Sequence, residues 1–187
     1  MKMAVIVEGC SDRKFLDDYL KKHYDTSLRF KTVMSKANCN GGCEILNFKT
    51  ISKKISTLIL DDRREKIFVL IDFKTQCNRR VTPNCITELK TMYNNGLKKA
   101  LNNNALFSKV EILVVDREIE AWMVSKWSVS NNRSLNYNTE LKKYVGNKEK
   151  EEAVNAFIYK CLSDRIHVNL DNNKSLERFI SKVQECL

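Results

Sequence analysis

Three apolar segments run directly into an acidic residue: Val7 into Glu8, Ile71 into Asp72, and Val115 into Asp116, with Glu118 and Glu120 just beyond. If these segments are parallel neighbouring strands, their carboxylates converge on one edge of a sheet. Carboxylates gathered there repel one another and lose hydration, so they call for a compensating positive charge. Mg²⁺, or Mn²⁺ in its place, is the natural candidate, a hard cation that takes oxygen ligands and keeps several waters. Such a site suits phosphoryl transfer, in which the metal orients the phosphate and stabilises developing charge. Any one of these acids could simply end its strand and cap the next helix. The recurrence on three strands is what argues for a site.

The elements that would position these acids follow from the apolar pattern. Met3–Val7 is a short continuous apolar run, as expected of a strand buried on both faces. Further strands are predicted around Leu28–Met34, over Ile67–Ile71 and over Val110–Val115. Between them lie helical patterns. Ser11 reads as an N-cap before Phe15, Leu16, Tyr19 and Leu20. Gly41 and Gly42 open a helix carrying Ile45, Ile51, Ile55 and Ile59, and Thr82-Pro83 begins another that reaches about Leu101. A short helix starts at Glu118, and residues 140–187 read as two or three more helices. This alternation predicts an α/β fold with a doubly wound, mainly parallel sheet of about four strands, Rossmann-like, followed by C-terminal helices. Residues 1–125 would form the core and 126–187 a helical extension packed on it. In such sheets the ligand crevice lies at the carboxyl ends of the strands.

Composition bounds the partners. The chain has 187 residues with 33 Lys+Arg against 23 Asp+Glu, a net charge of +10. The excess is spread over all three thirds of the chain and is smallest in the middle third, where the acids above lie. A diffuse positive field suits a polyanion, DNA or RNA, because each neutralised phosphate releases counterions. No apolar run is long enough to span a membrane. The brief apolar run at the start ends at Glu8, which does not make a secretory signal, and a cytoplasmic protein is expected. Seven cysteines form no regular framework and are expected to be reduced thiols. Cys39, Cys43, Cys77 and Cys85 lack a recognised zinc spacing, and His23 and His167 have no ligand partners nearby.

The segment Val5-Ile6-Val7-Glu8-Gly9-Cys10-Ser11-Asp12-Arg13-Lys14-Phe15-Leu16 resembles the first motif of the toprim domain. That fold is shared by topoisomerases, primases and the overcoming-lysogenization-defect (OLD) nucleases. The form E-G-x-x-D, followed by a basic residue and Phe-Leu, is most similar to the OLD type and to small stand-alone prokaryotic toprim-like proteins. A second stretch, Val115-Asp116-Arg117-Glu118-Ile119-Glu120-Ala121-Trp122-Met123, resembles the R-E-I-E-A-W segment of those small proteins. The resemblance covers roughly residues 3–125. It implies a metal-dependent nuclease, with Glu8 as general base or acid and metal contact, Asp12 as a second ligand and Asp72 holding the principal Mg²⁺. Glu118 and Glu120 are candidates to complete the ligand set, while Arg13, Lys74 and Arg117 are candidates for phosphate contacts. One departure stands out. The family's second motif is usually D-x-D, and here it reads Asp72-Phe73-Lys74, a cation replacing the second acid.

Two function classes therefore stay open. One is a Mg²⁺-dependent nuclease, possible as an effector in prokaryotic defence. The other is a non-catalytic nucleic-acid-binding or regulatory module on a toprim-like fold, for which Lys74 is the main argument. Asp72-Phe73-Lys74 also fits the (D/E)-x-K element of restriction-endonuclease-like folds, but that reading leaves Glu8-Gly9 without a role. OLD-type relatives often work with an ATPase module. No G-x-x-x-x-G-K-[ST] loop occurs here, so a nucleotide-driven step would need a separate ATPase partner. The C-terminal helices could also form a homodimer interface.

Overall fold

The computed structural model describes residues 1–36, 42–73, 85–127 and 135–187, the side chains of residues 42 and 43 excepted. Four strands, β1 (Met3–Val7), β2 (Lys31–Met34), β3 (Lys66–Asp72) and β4 (Val110–Val115), form one sheet in the order β2-β1-β3-β4, every pair parallel. The expected fold class is the one observed. The strands form where the apolar runs lie because such a sheet is covered on both faces. All five residues of β1 are buried, as are the five between Lys66 and Asp72 in β3.

Alternation along the strands divides the core into two layers. Met3, Val5 and Val7, with Phe68, Leu70, Leu113 and Val115, face one cluster; Ala4, Ile6, Ile67, Val69, Ile71 and Ile112 face the other. The second layer is closed by α2 (Phe48–Leu60) and α3 (Ile86–Leu101). The first takes in the segment Phe15–Tyr24 that continues α1 (Cys10–Lys14), the short α5 (Ile119–Met123), and α6 (Tyr137–Val145), α7 (Lys150–Asp164) and α8 (Lys174–Gln184). The C-terminal helices thus share one buried cluster with the sheet. A one-turn helix, α4 (Asn104–Phe107), leads into β4. The β1-to-β2 connection covers one face, while the next two crossovers cover the other. The winding therefore reverses between β1 and β3, where a doubly wound sheet opens its crevice.

Several local expectations are corrected. Helix α1 is N-capped by Gly9 rather than Ser11, which lies inside the helix and is buried. Asp12, three residues on, accepts the Gly9 N–H at 3.0 Å, so an acid at N3 does the work expected of a hydroxyl at the cap. Past Lys14 the helix continues in π-type hydrogen bonding over Phe15–Tyr24. Strand β2 starts at Lys31 rather than Leu28, because a turn in which Asp25 accepts from the Ser27 amide and hydroxyl occupies the residues before it. The expected helix start at Thr82-Pro83 lies outside the described residues. Cys10 is disulfide-bonded, against the expectation of seven reduced thiols; Cys85, Cys161 and Cys186 are free. The abundant asparagines serve as caps. Asn47, Asn103, Asn136 and Asn173 each accept an amide N–H at the start of a helix.

The α2–α3 contact depends on a glycine. A Cβ at Gly96 would lie 2.2 Å from a ring carbon of Phe48. That ring is held edge-on to Tyr93, the centroids 5.1 Å apart. Gly96→Ala is expected to lower stability by about 1–3 kcal/mol through overpacking, although alanine favours helix by ~1 kcal/mol. Urea unfolding checks this, and adding Phe48→Leu should restore part of the loss. A Gly96→Ala variant as stable as wild type would refute the account.

Candidate functional site

Four carboxylates converge at the carboxyl edge, beside the point where the winding reverses. Glu8 follows β1 directly, and Asp72 closes the neighbouring β3. The end of β1 is pinned by Ser35, whose amide donates to the Val7 carbonyl at 2.7 Å and whose hydroxyl donates to the Glu8 carbonyl at 3.0 Å. Asp12 sits in the first turn of α1, and Glu120, fully buried, in the first turn of α5. Helix α5 is held by Trp122, whose indole N–H donates to Ser175 Oγ at 2.8 Å, while Ser175 Oγ also receives the Asp116 N–H at 3.1 Å. Lys150, the first residue of α7, completes the group. Its Nζ lies 2.6 Å from Glu120 Oε1. Glu120 Oε2 is shielded from solvent and has no hydrogen-bond partner among the described residues.

Crowding and burial disfavour ionisation here. The Glu8 carboxyl is pushed up to about 8, first by burial and then by Asp12, with Lys150 opposing. Asp12 rises to about 6 through burial and the Glu120 charge, against the pull of Lys150 and of the Gly9 and Glu8 amides. Asp72 is raised well above the ordinary aspartate range by burial, then by Asp12, Glu8 and Glu120. Burial works against the Lys150 ammonium, but Glu120 and then Asp12 and Asp72 outweigh it and hold it charged. Fully ionised, four carboxylates and one ammonium leave the cluster strongly negative.

The structure thus brings together Glu8, Asp12, Asp72 and Glu120 of the expected set. Glu118 occupies the N-cap position of α5, its carbonyl accepting the Ala121 N–H at 2.9 Å. Arg117 forms the turn before it with φ 74°, a left-handed conformation uncommon for a residue with a side chain. Arg13 is half-exposed, 3.5 Å from Asp17, and lines a cavity of about 320 Å³ between α1 and α7 with Lys14 and Glu151. Lys74 lies outside the described residues. Lys150 escaped the sequence reading because it sits in a plain charge run, Lys148-Glu149-Lys150-Glu151-Glu152, with nothing in its spacing to tie it to Glu120. The φ of Gly9, −142°, suits any residue, and a Cβ there would meet nothing within 4 Å. The turn does not require glycine, and open space lies beside the acids.

The donor set fits a hard divalent cation in its chemistry: clustered carboxylate oxygens, one of them buried without a partner. Among the described residues no three acidic, His or Cys side chains are close enough together to form a cage. One or two carboxylates plus waters is the usual holding for Mg²⁺, and Asp72 with Glu8 or Asp12 could provide it.

Raised carboxyl pKa values have a definite sign in stability. Protons that Glu8, Asp12 and Asp72 retain in the fold leave the unfolded chain near its ordinary carboxylate range, so these groups favour the fold at low pH. That contribution is lost as pH rises through about 6 and about 8. In EDTA the melting temperature should therefore rise by about 5 °C as pH falls from ~8.5 to ~6. Glu8→Gln/Asp72→Asn should flatten this slope. Differential scanning calorimetry decides, and an unchanged slope in the double variant would refute the assignment.

A family model described as a domain of unknown function, DUF4276, matches residues 7–167 of the chain. No curated protein and no solved structure matches significantly. The matched span starts at the end of β1, runs through every carboxylate of the cluster and includes Lys150 and the rest of α7. The chain belongs to the DUF4276 family.

Proposed function

We propose that this protein is a metal-dependent nuclease that cleaves nucleic-acid phosphodiester bonds, with a toprim-like arrangement of its acids. The observation that carries the reading is the set of four mutually repelling carboxylates, Glu8, Asp12, Asp72 and Glu120, at the carboxyl edge of a parallel sheet next to open space at Gly9. Perturbed acids in a crevice are a common mark of a catalytic site. A bound Mg²⁺ or Mn²⁺ would neutralise the cluster and polarise a phosphoryl oxygen. Glu8, with a carboxyl poised near neutral pH, can take a proton from the attacking water or deliver one to the leaving oxygen. Asp72, at the strand end, is the best-placed anchor for the cation. Arg13, half-exposed on α1, is available to a phosphate oxygen of the substrate. Effector action in prokaryotic defence, a separate ATPase partner and a homodimer belong to this proposal as well.

One observation favours a second reading, a non-catalytic nucleic-acid-binding or regulatory module. Lys150 already supplies a positive charge to Glu120, so part of the compensation is built into the chain.

The test is cleavage of supercoiled plasmid and structured RNA with Mg²⁺ or Mn²⁺, beside an EDTA control. Cutting should fall by about a hundredfold or more in Glu8→Gln and in Asp72→Asn, with melting profiles retained. Mn²⁺ binding followed by electron paramagnetic resonance provides the second arm. Salt-sensitive nucleic-acid binding that ignores Mn²⁺, without cutting, would favour the binding module and sink the nuclease.

A further inference from the structure

The opposite edge of the sheet carries the reverse charge. Lys2 stands immediately before β1 and Lys109 immediately before β4, while Arg63 and Arg64 lie in the turn from α2 into β3. The register pairs Met3 with Lys66 and Ile67 with Val110, so the starts of these strands lie side by side. With Ile59 and Glu65, the four cations line a cavity of about 430 Å³, within the ~300–1,000 Å³ usual for small-molecule sites.

Among the described residues the acids near that cavity offset only part of its charge. Glu65, its one acid, accepts the backbone N–H of Lys2 at 2.7 Å. The nearby acids are engaged elsewhere, Asp62 with Lys31 and Glu111 with Lys66. Among the described residues no ion pair holds the side chains of Lys2, Arg63, Arg64 or Lys109. Arg64 donates through Nη1 to the Met3 carbonyl at 3.3 Å, which fixes the guanidinium beside the start of β1. Like charges held together cost stability, and one anion in the cavity would relieve that cost. Arg forks and Lys ammonium groups together match phosphate oxygens.

We propose that this cavity is a phosphate-binding site, distinct from the carboxylate cluster about 20 Å away along the strands. It takes the oligophosphate of a nucleotide or the phosphodiester of a nucleic-acid strand. The site does not depend on the nuclease reading, because it uses none of the same residues.

The experiment is isothermal titration of the full chain at low salt in EDTA with three probes: tripolyphosphate, a nucleoside triphosphate and a short single-stranded oligonucleotide. Arg63→Asn/Lys109→Gln keeps a residue that tolerates the left-handed backbone of Arg63 (φ 52°). This variant should bind about tenfold more weakly or worse. Lys98→Gln/Lys99→Gln, which removes the same charge from exposed positions on α3, should bind like wild type. Preference for the nucleoside triphosphate or for the oligonucleotide identifies the source of the phosphate, and either supports the site. Absence of saturable binding by wild type, or equal losses in both double variants, would overturn it.

Discussion

Four acidic side chains are held close together, away from water, at the end of a parallel sheet. In water each would ionise readily; burial first, and then the charge of its neighbours, pushes the Glu8 carboxyl up to about 8. The chain's own answer to this repulsion is partial. Lys150 is brought from α7 to Glu120, across 30 residues of sequence, while the Gly9 and Glu8 amides ease the charge on Asp12. What remains is an unfavourable concentration of negative charge that the scaffold keeps in place. Sites that retain such a cost do so where a ligand or a reaction uses it.

The scaffold explains how the repulsion is tolerated. Glu8 and Asp72 cannot move apart because both end strands whose neighbouring residues are sealed into the two core layers. Asp12 is tied to the turn that follows β1. Glu120 is held because α5 packs through Trp122, stacked on Phe179 with the ring centroids 5.4 Å apart and hydrogen-bonded to Ser175 of α8. The C-terminal helices are thus part of the site's support: α8 fixes the segment bearing Glu120 and α7 delivers Lys150. Lys14 of α1 pairs with Glu151 of α7 at 2.8 Å and ties the two helices that flank Asp12 and Lys150.

Charge is also segregated along the sheet. Acids collect where the strands end, and Lys2, Arg63, Arg64 and Lys109 gather where they begin. A net charge of +10 says nothing about this separation. It arises because parallel strands place all their starts on one edge and all their ends on the other, so residues just outside each strand are sorted by position.

Much of the fold was legible in the residues. Continuous apolar runs of strand length, alternating with helical spacing, determine a covered parallel sheet, and β1 and β4 lie where those runs do. The acids at the strand ends were legible for the same reason: a carboxylate that terminates an apolar strand must emerge at its carboxyl edge. Local pattern could not show that Glu120 becomes fully buried beside Lys150; the packing of α5 and α7 does that. Nor could it find Lys150 or the basic cavity, whose members are ordinary charged residues dispersed along the chain. Their roles come from contacts between distant segments, and such contacts exist only after β1, β3 and β4 have paired and the C-terminal helices have closed over them.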